Sequence, residues 1–242
     1  MDKSDEERIE QKALDYAKKH KKAIAARLTD RGRYPAEVDP VSVFMAGAPG
    51  AGKTEASIEL VKDLTGDPDG ILRIDPDELR SEFHDYSGAN AWLFQSAVSV
   101  LVEKVHDLAL KQKQSFILDG TLARYPKAEE NIRRSLRKDR VVQILYVYQE
   151  PWRAWSFVEA RERMEGRNIR PQDFLGQYFA SREVVNKLKK RFGKKIIVDL
   201  LVKNTSGRRF YEMNIWSIDD YVPESYSRDE VARMLGIVDR GT

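Results

Sequence analysis

The chain has 242 residues, of which 41% are hydrophobic and 33% charged, enough apolar material for one substantial domain with appendages. Its 42 basic and 39 acidic residues leave a net charge of only +3, too small and too evenly spread to argue by itself for a nucleic-acid partner, and we expect none. The absence of cysteine excludes disulfides and thiolate metal sites. The acidic first residues and the lack of an apolar run approaching ~18 residues argue against a signal peptide or a membrane span, so we expect a cytoplasmic protein.

Apolar residues recur at helical spacing near the start of the chain, at Ile9, Ala13, Tyr16, Ala17, Ile24 and Leu28. This pattern predicts one amphipathic helix over about residues 5–29. Prolines at positions 35 and 40 then interrupt it, so we divide the chain into an N-terminal helical segment, 1–38, and a second domain, 39–242. Packing of the apolar stripe against the chain's own core is the favoured interpretation, although periodicity alone does not identify what buries it.

The next segment carries the sharpest motif of the chain. An apolar strand beginning at Val41 breaks into a glycine-rich loop of the form G-x-x-x-x-G-K-[ST], and a helical pattern follows. In such a loop the backbone N–H groups point at phosphate oxygens, the lysine reaches the β- and γ-phosphates, and the hydroxyl faces Mg²⁺. We therefore expect a nucleoside triphosphate, ATP or GTP, with Mg²⁺, at residues Gly47, Ala48, Pro49, Gly50, Ala51, Gly52, Lys53 and Thr54.

Strands and helices alternate along the rest of the chain. Strands are predicted over 71–75, 115–119 and 141–148, and helices over about 90–114, after Pro126, and over 151–165, where Gly166 can end the helix. Segments 195–203 and 209–215 flank Asn204-Thr-Ser-Gly207 as a hairpin, and a short helix covers about 226–235. This order predicts an α/β fold of the P-loop kinase type: a parallel sheet with helices on both faces and its ligand site at the carboxyl ends of the strands.

Two predicted strands end in carboxylates. After the first come Asp75 and Asp77, and a carboxylate placed there can take the proton of an attacking hydroxyl. We assign that role to Asp77, while Asp75 either contributes to the substrate site or only caps the following helix. Asp119 ends the next strand and resembles the Mg²⁺-holding carboxylate of a Walker-B element, although Asp-Gly also favours a simple turn.

Arginines concentrate in the helix after Pro151 and just beyond it, at Arg153, Arg161, Arg163, Arg167 and Arg170. Guanidinium groups suit the charge that develops on a transferring phosphoryl group, so this segment is predicted to form a lid. Arg161 and Arg163 lie about 200° apart around a helix, so at most one of them faces the phosphates. The interleaved glutamates offer the alternative of surface ion pairs.

Taken together, the phosphate loop, the Asp75-Pro-Asp77 step, the Asp119-Gly-Thr121 step and the arginine-rich lid resemble those of zeta toxins, over about residues 38–205. Zeta toxins are the kinase half of epsilon/zeta toxin–antitoxin systems, and members phosphorylate UDP-N-acetylglucosamine. The resemblance implies that this chain is a kinase acting on a nucleotide sugar. It also implies restraint by an antitoxin protein, or by the segment 1–38 acting in cis.

The same resemblance implies roles for individual residues. Lys53 matches the phosphate-loop lysine and Asp77 the catalytic base. Glu103 falls where the family has a substrate-binding glutamate, and Thr121 matches a substrate-side threonine. Asp119 stands where some members have glutamate. Among the lid arginines, the catalytic placement goes to Arg163 and Arg167, with Arg161 and Arg170 as alternates.

Two other functions remain compatible with the motifs. A polynucleotide or nucleoside kinase also needs a phosphate loop, an acidic base and an arginine lid, and stacking aromatics in a basic groove would favour it. The aromatic cluster Trp152, Trp155 and Phe157 sits at helical spacing, and we interpret it as core. A non-catalytic nucleotide-gated switch would need no base.

Overall fold

The computed structural model describes residues 3–166, 168–203, 210–222 and 226–237. Six strands form one sheet in the order β2-β3-β1-β4-β5-β6. They are β1 (Val41–Ala46), β2 (Leu72–Ile74), β3 (Phe116–Leu118), β4 (Val141–Gln149), β5 (Ile197–Lys203) and β6 (Phe210–Glu212). The first five pair in parallel, and β6 runs antiparallel to β5.

Helices flank this sheet. The α-helices of the described residues are α1 (Lys3–Leu28), α2 (Lys53–Thr65), α3 (Pro76–Leu79), α4 (Gln95–Lys111), α5 (Tyr125–Leu136), α6 (Pro151–Glu165), α7 (Pro171–Phe192) and α8 (Arg228–Met234). The predicted α/β fold with a largely parallel sheet is confirmed. Within the described ranges, none of the helices combines the length and hydrophobicity that a membrane span needs.

The position of β1 fixes where a ligand can bind. β1 lies between β3 and β4, with Phe44 opposite both Leu118 and Ile144, and nearly all of it is buried. The chain runs from β1 through β2 to β3 on one side and then crosses to β4 on the other. The carboxyl ends of β1 and β3 therefore border a topological switch point, where α/β sheets bind their ligands.

The N-terminal helix buries its apolar stripe within the chain. Ala13, Ala17 and Ile24 of α1 join Phe94 and Leu101 in a second core, beside the one built around the sheet. α1 packs along α4, and Lys12 and Arg27 make ion pairs with Asp85 and Glu82. The favoured interpretation, that the stripe packs on the chain itself, agrees with this arrangement, while the boundary between 1–38 and 39–242 stays a prediction.

Some element bounds differ from the sequence predictions. The helix predicted over 90–114 divides into a 3-10 helix, Ala91–Phe94, and α4, which follows it directly. The long helix α7 has no counterpart in the predictions. In the predicted hairpin the antiparallel strands β5 and β6 are present, while its turn, 204–207, lies outside the described residues.

Candidate active site

The phosphate loop curls around its own lysine. Lys53 is the first residue of α2, and its Nζ donates hydrogen bonds to the carbonyl oxygens of Ala48 at 2.7 Å and Gly47 at 3.2 Å. Gly50 adopts a φ of +72°, and a Cβ built there would lie 2.1 Å from the carbonyl oxygen of Ala154 in α6. Glycine is therefore required where the loop backs onto α6, the helix predicted to form a lid and called the lid helix below. The geometry places a positive charge and a helix N-terminus at the end of β1.

Two carboxylates end neighbouring strands next to this loop. Asp75 follows β2 and Asp119 follows β3, and the Asp119 amide donates to the Ile74 carbonyl at 2.9 Å. Thr54 Oγ1 lies 3.3 Å from Asp119 Oδ2, within hydrogen-bond reach. Burial and the nearby Asp75 carboxylate raise the pKa of Asp119 to about 6, against the opposing charge of Lys53. A concentration of negative charge beside a hydroxyl suits a cation at this point.

Asp75 also organises the short helix that follows. Its side chain accepts a hydrogen bond from the Asp77 amide at 2.8 Å and so caps α3, with Pro76 at the first helical position. Capping, one of the two roles left open for Asp75, is therefore present. It fixes the backbone from which Asp77 projects.

Asp77 lies between two arginines. Its Oδ1 accepts a hydrogen bond from Arg80 Nη1, and its Oδ2 lies 4.0 Å from Arg161 Nη2 of α6. Arg80 in turn donates from Nη2 to Gln95 Oε1 at 3.1 Å. A carboxylate held in this way faces both the phosphate loop and the lid helix across one cavity.

That cavity has a volume of about 1260 Å³. Drug-sized ligand pockets span roughly 300–1,000 Å³, so it has room for two substrates side by side. Most of the predicted site residues line it: Pro49, Gly50, Ala51, Gly52, Lys53, Thr54, Asp75, Asp77, Asp119, Thr121, Arg161 and Arg170. The structure thus brings the phosphate loop, both strand-end carboxylates and the lid helix to one space.

Glu103 is the predicted substrate residue that the structure does not bring to this cavity. It projects from α4 into a separate shallow cleft, where Lys127 and Arg134 form ion pairs with it. Burial raises the pKa of Glu103, but these two cations outweigh it and the net shift is downward. The α4 residue that lines the cavity is Gln95, about two turns earlier, where α4 begins and where Gln95 accepts a hydrogen bond from Arg80.

The lid arginines also differ from the favoured placement. Arg161 lines the cavity and Arg163 does not, which agrees with the expectation that a helix presents at most one of them. Arg170, the residue before α7, lines the cavity and pairs with Asp173 at 2.7 Å. Arg167 lies outside the described residues. Among the lid arginines that the structure describes, the alternates Arg161 and Arg170 are therefore the ones at the cavity, and their catalytic role stays a prediction.

Several cavity residues were missed at the sequence level. Four of them, Arg80, Trp92, Gln95 and Arg124, line the cavity from the segments that contain or follow Asp77 and Thr121 in the chain, and Gln149 and Lys203 end β4 and β5. Lys203 Nζ donates to the Gly52 carbonyl at 2.8 Å, so it holds the phosphate loop from a strand 151 residues away. The position of Gln149 and Lys203 at parallel strand ends was a signal that could have found them.

The aromatic cluster of α6 is less buried than predicted. Phe157 is 46% exposed and lines the cavity, and Trp152 is 47% exposed. Only Trp155 packs on the core, against Phe174. The interpretation of the whole cluster as core is wrong, because α6 covers the sheet with one face and the cavity with another.

The family model described as "Zeta toxin" matches residues 25–215, most of the chain. The chain belongs to the zeta toxin family. Among solved structures, a chain of the PezAT chromosomal toxin–antitoxin system of Streptococcus pneumoniae is similar, with a TM-score of 0.66 and 18% identity, covering 91% of this chain and 92% of that one. No curated protein sequence matches the chain.

A second similar structure is the AvrRxo1-ORF1:-ORF2 complex with ATP, with a TM-score of 0.62 and 16% identity, covering 88% of this chain and 70% of that one. The same complex with sulphate ions gives a TM-score of 0.61. At these identities the likeness shows the fold that this zeta toxin family member shares with them.

Proposed function

We propose that the chain is a kinase that transfers the γ-phosphoryl group of ATP or GTP to a hydroxyl of a small acceptor. The acceptor that we favour is a nucleotide sugar such as UDP-N-acetylglucosamine, because the chain resembles zeta toxins. The observation that carries the proposal is the position of the Asp77 carboxylate, in one cavity with Lys53 and with Arg161 of the lid helix.

The nucleotide half of the site consists of the phosphate loop. Its backbone amides and the N-terminus of α2 suit the β- and γ-phosphates, and Lys53 exchanges its bonds to loop carbonyls for phosphate oxygens. Mg²⁺ would be held by Thr54 and Asp119 and would neutralise charge on the phosphates. The oxygens of these two side chains fit Mg²⁺, because nucleotide-bound Mg²⁺ needs only one or two protein groups. No cluster of three metal-ligating side chains occurs among the described residues, so the nucleotide phosphates and water would supply the other ligands.

The acceptor half contains the base. Asp77 takes the proton of the acceptor hydroxyl as that oxygen bonds to the γ-phosphorus, while the bond from the γ-phosphorus to the β,γ-bridging oxygen breaks. Arg161 stabilises the charge on the transferring group, and Arg170 closes the same side. Asp75 and Thr121 complete the acceptor side of the cavity.

We further propose that the protein acts as a toxin and that an antitoxin partner restrains it, because the PezAT neighbour belongs to a toxin–antitoxin system. Restraint in cis by α1 would require the helix to cover the nucleotide site. In the structure α1 packs on α4 instead, and its residues do not line the cavity. A separate protein is therefore the favoured inhibitor.

One observation favours a second acceptor class. Trp92, 56% exposed, and Phe157 both line the cavity, and exposed aromatic rings can stack on nucleobases. A nucleoside or polynucleotide 5′ end is therefore the alternative acceptor, and a nucleotide-gated switch without catalysis is the non-enzymatic alternative.

The deciding experiment incubates the purified chain with γ-labelled ATP or GTP, Mg²⁺ and, separately, UDP-N-acetylglucosamine, nucleosides and oligonucleotides. We expect label on UDP-N-acetylglucosamine. Label on nucleosides or oligonucleotides alone would show that the acceptor is a nucleoside or polynucleotide and not a nucleotide sugar. Nucleotide binding without any transfer would favour the non-catalytic switch.

A further inference from the structure

The carboxylate of Asp77 is held from its own helical segment. Arg80 follows three residues later, one helical turn away, and its Nη1 donates a charge-assisted hydrogen bond to Asp77 Oδ1. The Arg80 side chain is only 8% exposed, against 32% for Asp77. The guanidinium is therefore the more buried of the two groups, and its charge depends on Asp77 for compensation.

Arg80 is itself fixed at two points. Its neighbours Leu79 and Phe83 are buried in the second core beside α1, which anchors the backbone. Its Nη2 donates to Gln95 Oε1 at 3.1 Å, at the first residue of α4. Because an arginine bonded at both ends of its fork cannot rotate freely, the position of Asp77 Oδ1 is set by elements outside the lid.

A competing cation lies on the opposite side. Arg161 Nη2 is 4.0 Å from Asp77 Oδ2, and it belongs to α6, which also backs onto the phosphate loop. If Arg80 were removed, Asp77 would turn toward Arg161 and close that ion pair. Both groups would then be withdrawn from the positions that phosphoryl transfer needs.

We propose that Arg80, locked by Gln95, is a positioning residue for Asp77. Its hydrogen bond to Asp77 Oδ1 fixes the direction in which the carboxylate presents Oδ2 to the cavity, and it keeps the carboxylate from moving closer to Arg161. This inference rests on the proposed kinase function. It predicts that Arg80 acts only through Asp77 and contributes little to nucleotide binding.

The kinetic test compares Arg80→Gln, Arg80→Lys and Gln95→Leu in the phosphorylation of UDP-N-acetylglucosamine by γ-labelled ATP. We expect Arg80→Gln to lower kcat by about 10–100-fold, as for a misplaced catalytic group, with the Kd for ATP within about twofold of wild type. Arg80→Lys keeps the charge but cannot bond both Asp77 and Gln95, so we expect its kcat to fall less than that of Arg80→Gln. Gln95→Leu removes only the second partner of Arg80, so its kcat should also fall less. Arg8→Gln, which breaks an exposed ion pair of the same i,i+3 spacing, is the matched control and keeps wild-type activity.

A double-mutant cycle separates positioning from other roles. In the Asp77→Asn background, Arg80→Gln should cause no further loss, because the group that it positions is already inactive. Additive losses would overturn the inference, since Arg80 would then contact a substrate or support the fold. Full ATP-binding stoichiometry and an unfolding temperature measured for each variant exclude a loss of folded protein.

A crystal structure of Arg80→Gln tests the same inference without any acceptor. We expect the Asp77 carboxylate to move toward Arg161, and an unmoved carboxylate would overturn the inference. If the wild type transfers phosphate to none of the acceptors, the proposed function fails, whereas the structural comparison still decides whether Arg80 positions Asp77.

Discussion

Replacing Gly50 by alanine tests the close packing of the phosphate loop on the lid helix. Gly50 has a φ of +72°, which costs an L-residue about 1–2 kcal/mol. The new Cβ would also meet the Ala154 carbonyl oxygen at 2.1 Å and the Val158 Cγ2 at 3.1 Å. Relief of the first contact needs a shift of roughly 1 Å in the loop or in α6. A misplacement of that size costs about 10²-fold in rate where groups react, and we expect a loss of the same order in ATP affinity where the loop holds the phosphates.

Gly66→Ala is the matched control. Gly66 has a φ of +76° at the end of α2, but a Cβ there would have nothing within 4 Å, so this variant reports the backbone cost alone. In a chain of this size that cost lowers the Tm by a few degrees. We expect both variants to lose this much, and only Gly50→Ala to lose ATP affinity by about 10²-fold in a direct titration. Equal ATP affinity in the two variants would refute the packing argument.

Four further predictions concern separate parts of the molecule. Lys53→Ala should abolish measurable transfer from γ-labelled ATP while leaving the nucleotide-free Tm nearly unchanged, and transfer at the wild-type rate would contradict its role on the phosphates. Arg161→Gln should lower kcat by about 10²-fold whereas Arg163→Gln should not, and the reverse order in steady-state kinetics would restore the sequence-based placement. Removal of residues 1–38 should expose the second core and lower soluble yield and Tm; a stable, more active truncated chain would instead support inhibition in cis. Burial lowers the pKa of His106 to about 3, so below pH 6.5 the unfolded state binds a proton that the folded state does not. The free energy of unfolding of the wild type, measured in urea, should therefore fall by about 2 kcal/mol relative to that of His106→Leu between pH 7 and pH 5, and parallel pH curves would contradict this.

The sequence was sufficient where a motif is local and its geometry is fixed by a few residues. The phosphate loop needs only its glycines and the helix that follows, and the strand-end positions of Asp75 and Asp119 follow from apolar runs that stop at a carboxylate. The end of α6 was also predicted: glycine favours the left-handed conformation that ends helices, and Gly166 has a φ of +70° at that point.

Prediction failed where a side chain's direction depends on packing between distant elements. Glu103 was placed at the substrate by the resemblance to zeta toxins, but α4 turns that residue toward Lys127 and Arg134. The choice between Arg161 and Arg163 depended on the rotation of α6 about its axis, which periodicity did not resolve. Lys203 reaches the phosphate loop only because β5 lies beside β4 in the sheet.

The most direct test of the proposed kinase function is phosphoryl transfer by Asp77→Asn under single-turnover conditions with saturating ATP and UDP-N-acetylglucosamine. The amide keeps the shape of the carboxylate but cannot take the hydroxyl proton, a step that contributes about 10²–10⁴-fold in rate. We predict retained ATP binding and a loss of transfer of that size, beside an unaffected Asp63→Asn control at an exposed position of α2. Transfer by Asp77→Asn at the wild-type rate would contradict the account, because the cavity would then hold no essential base at Asp77.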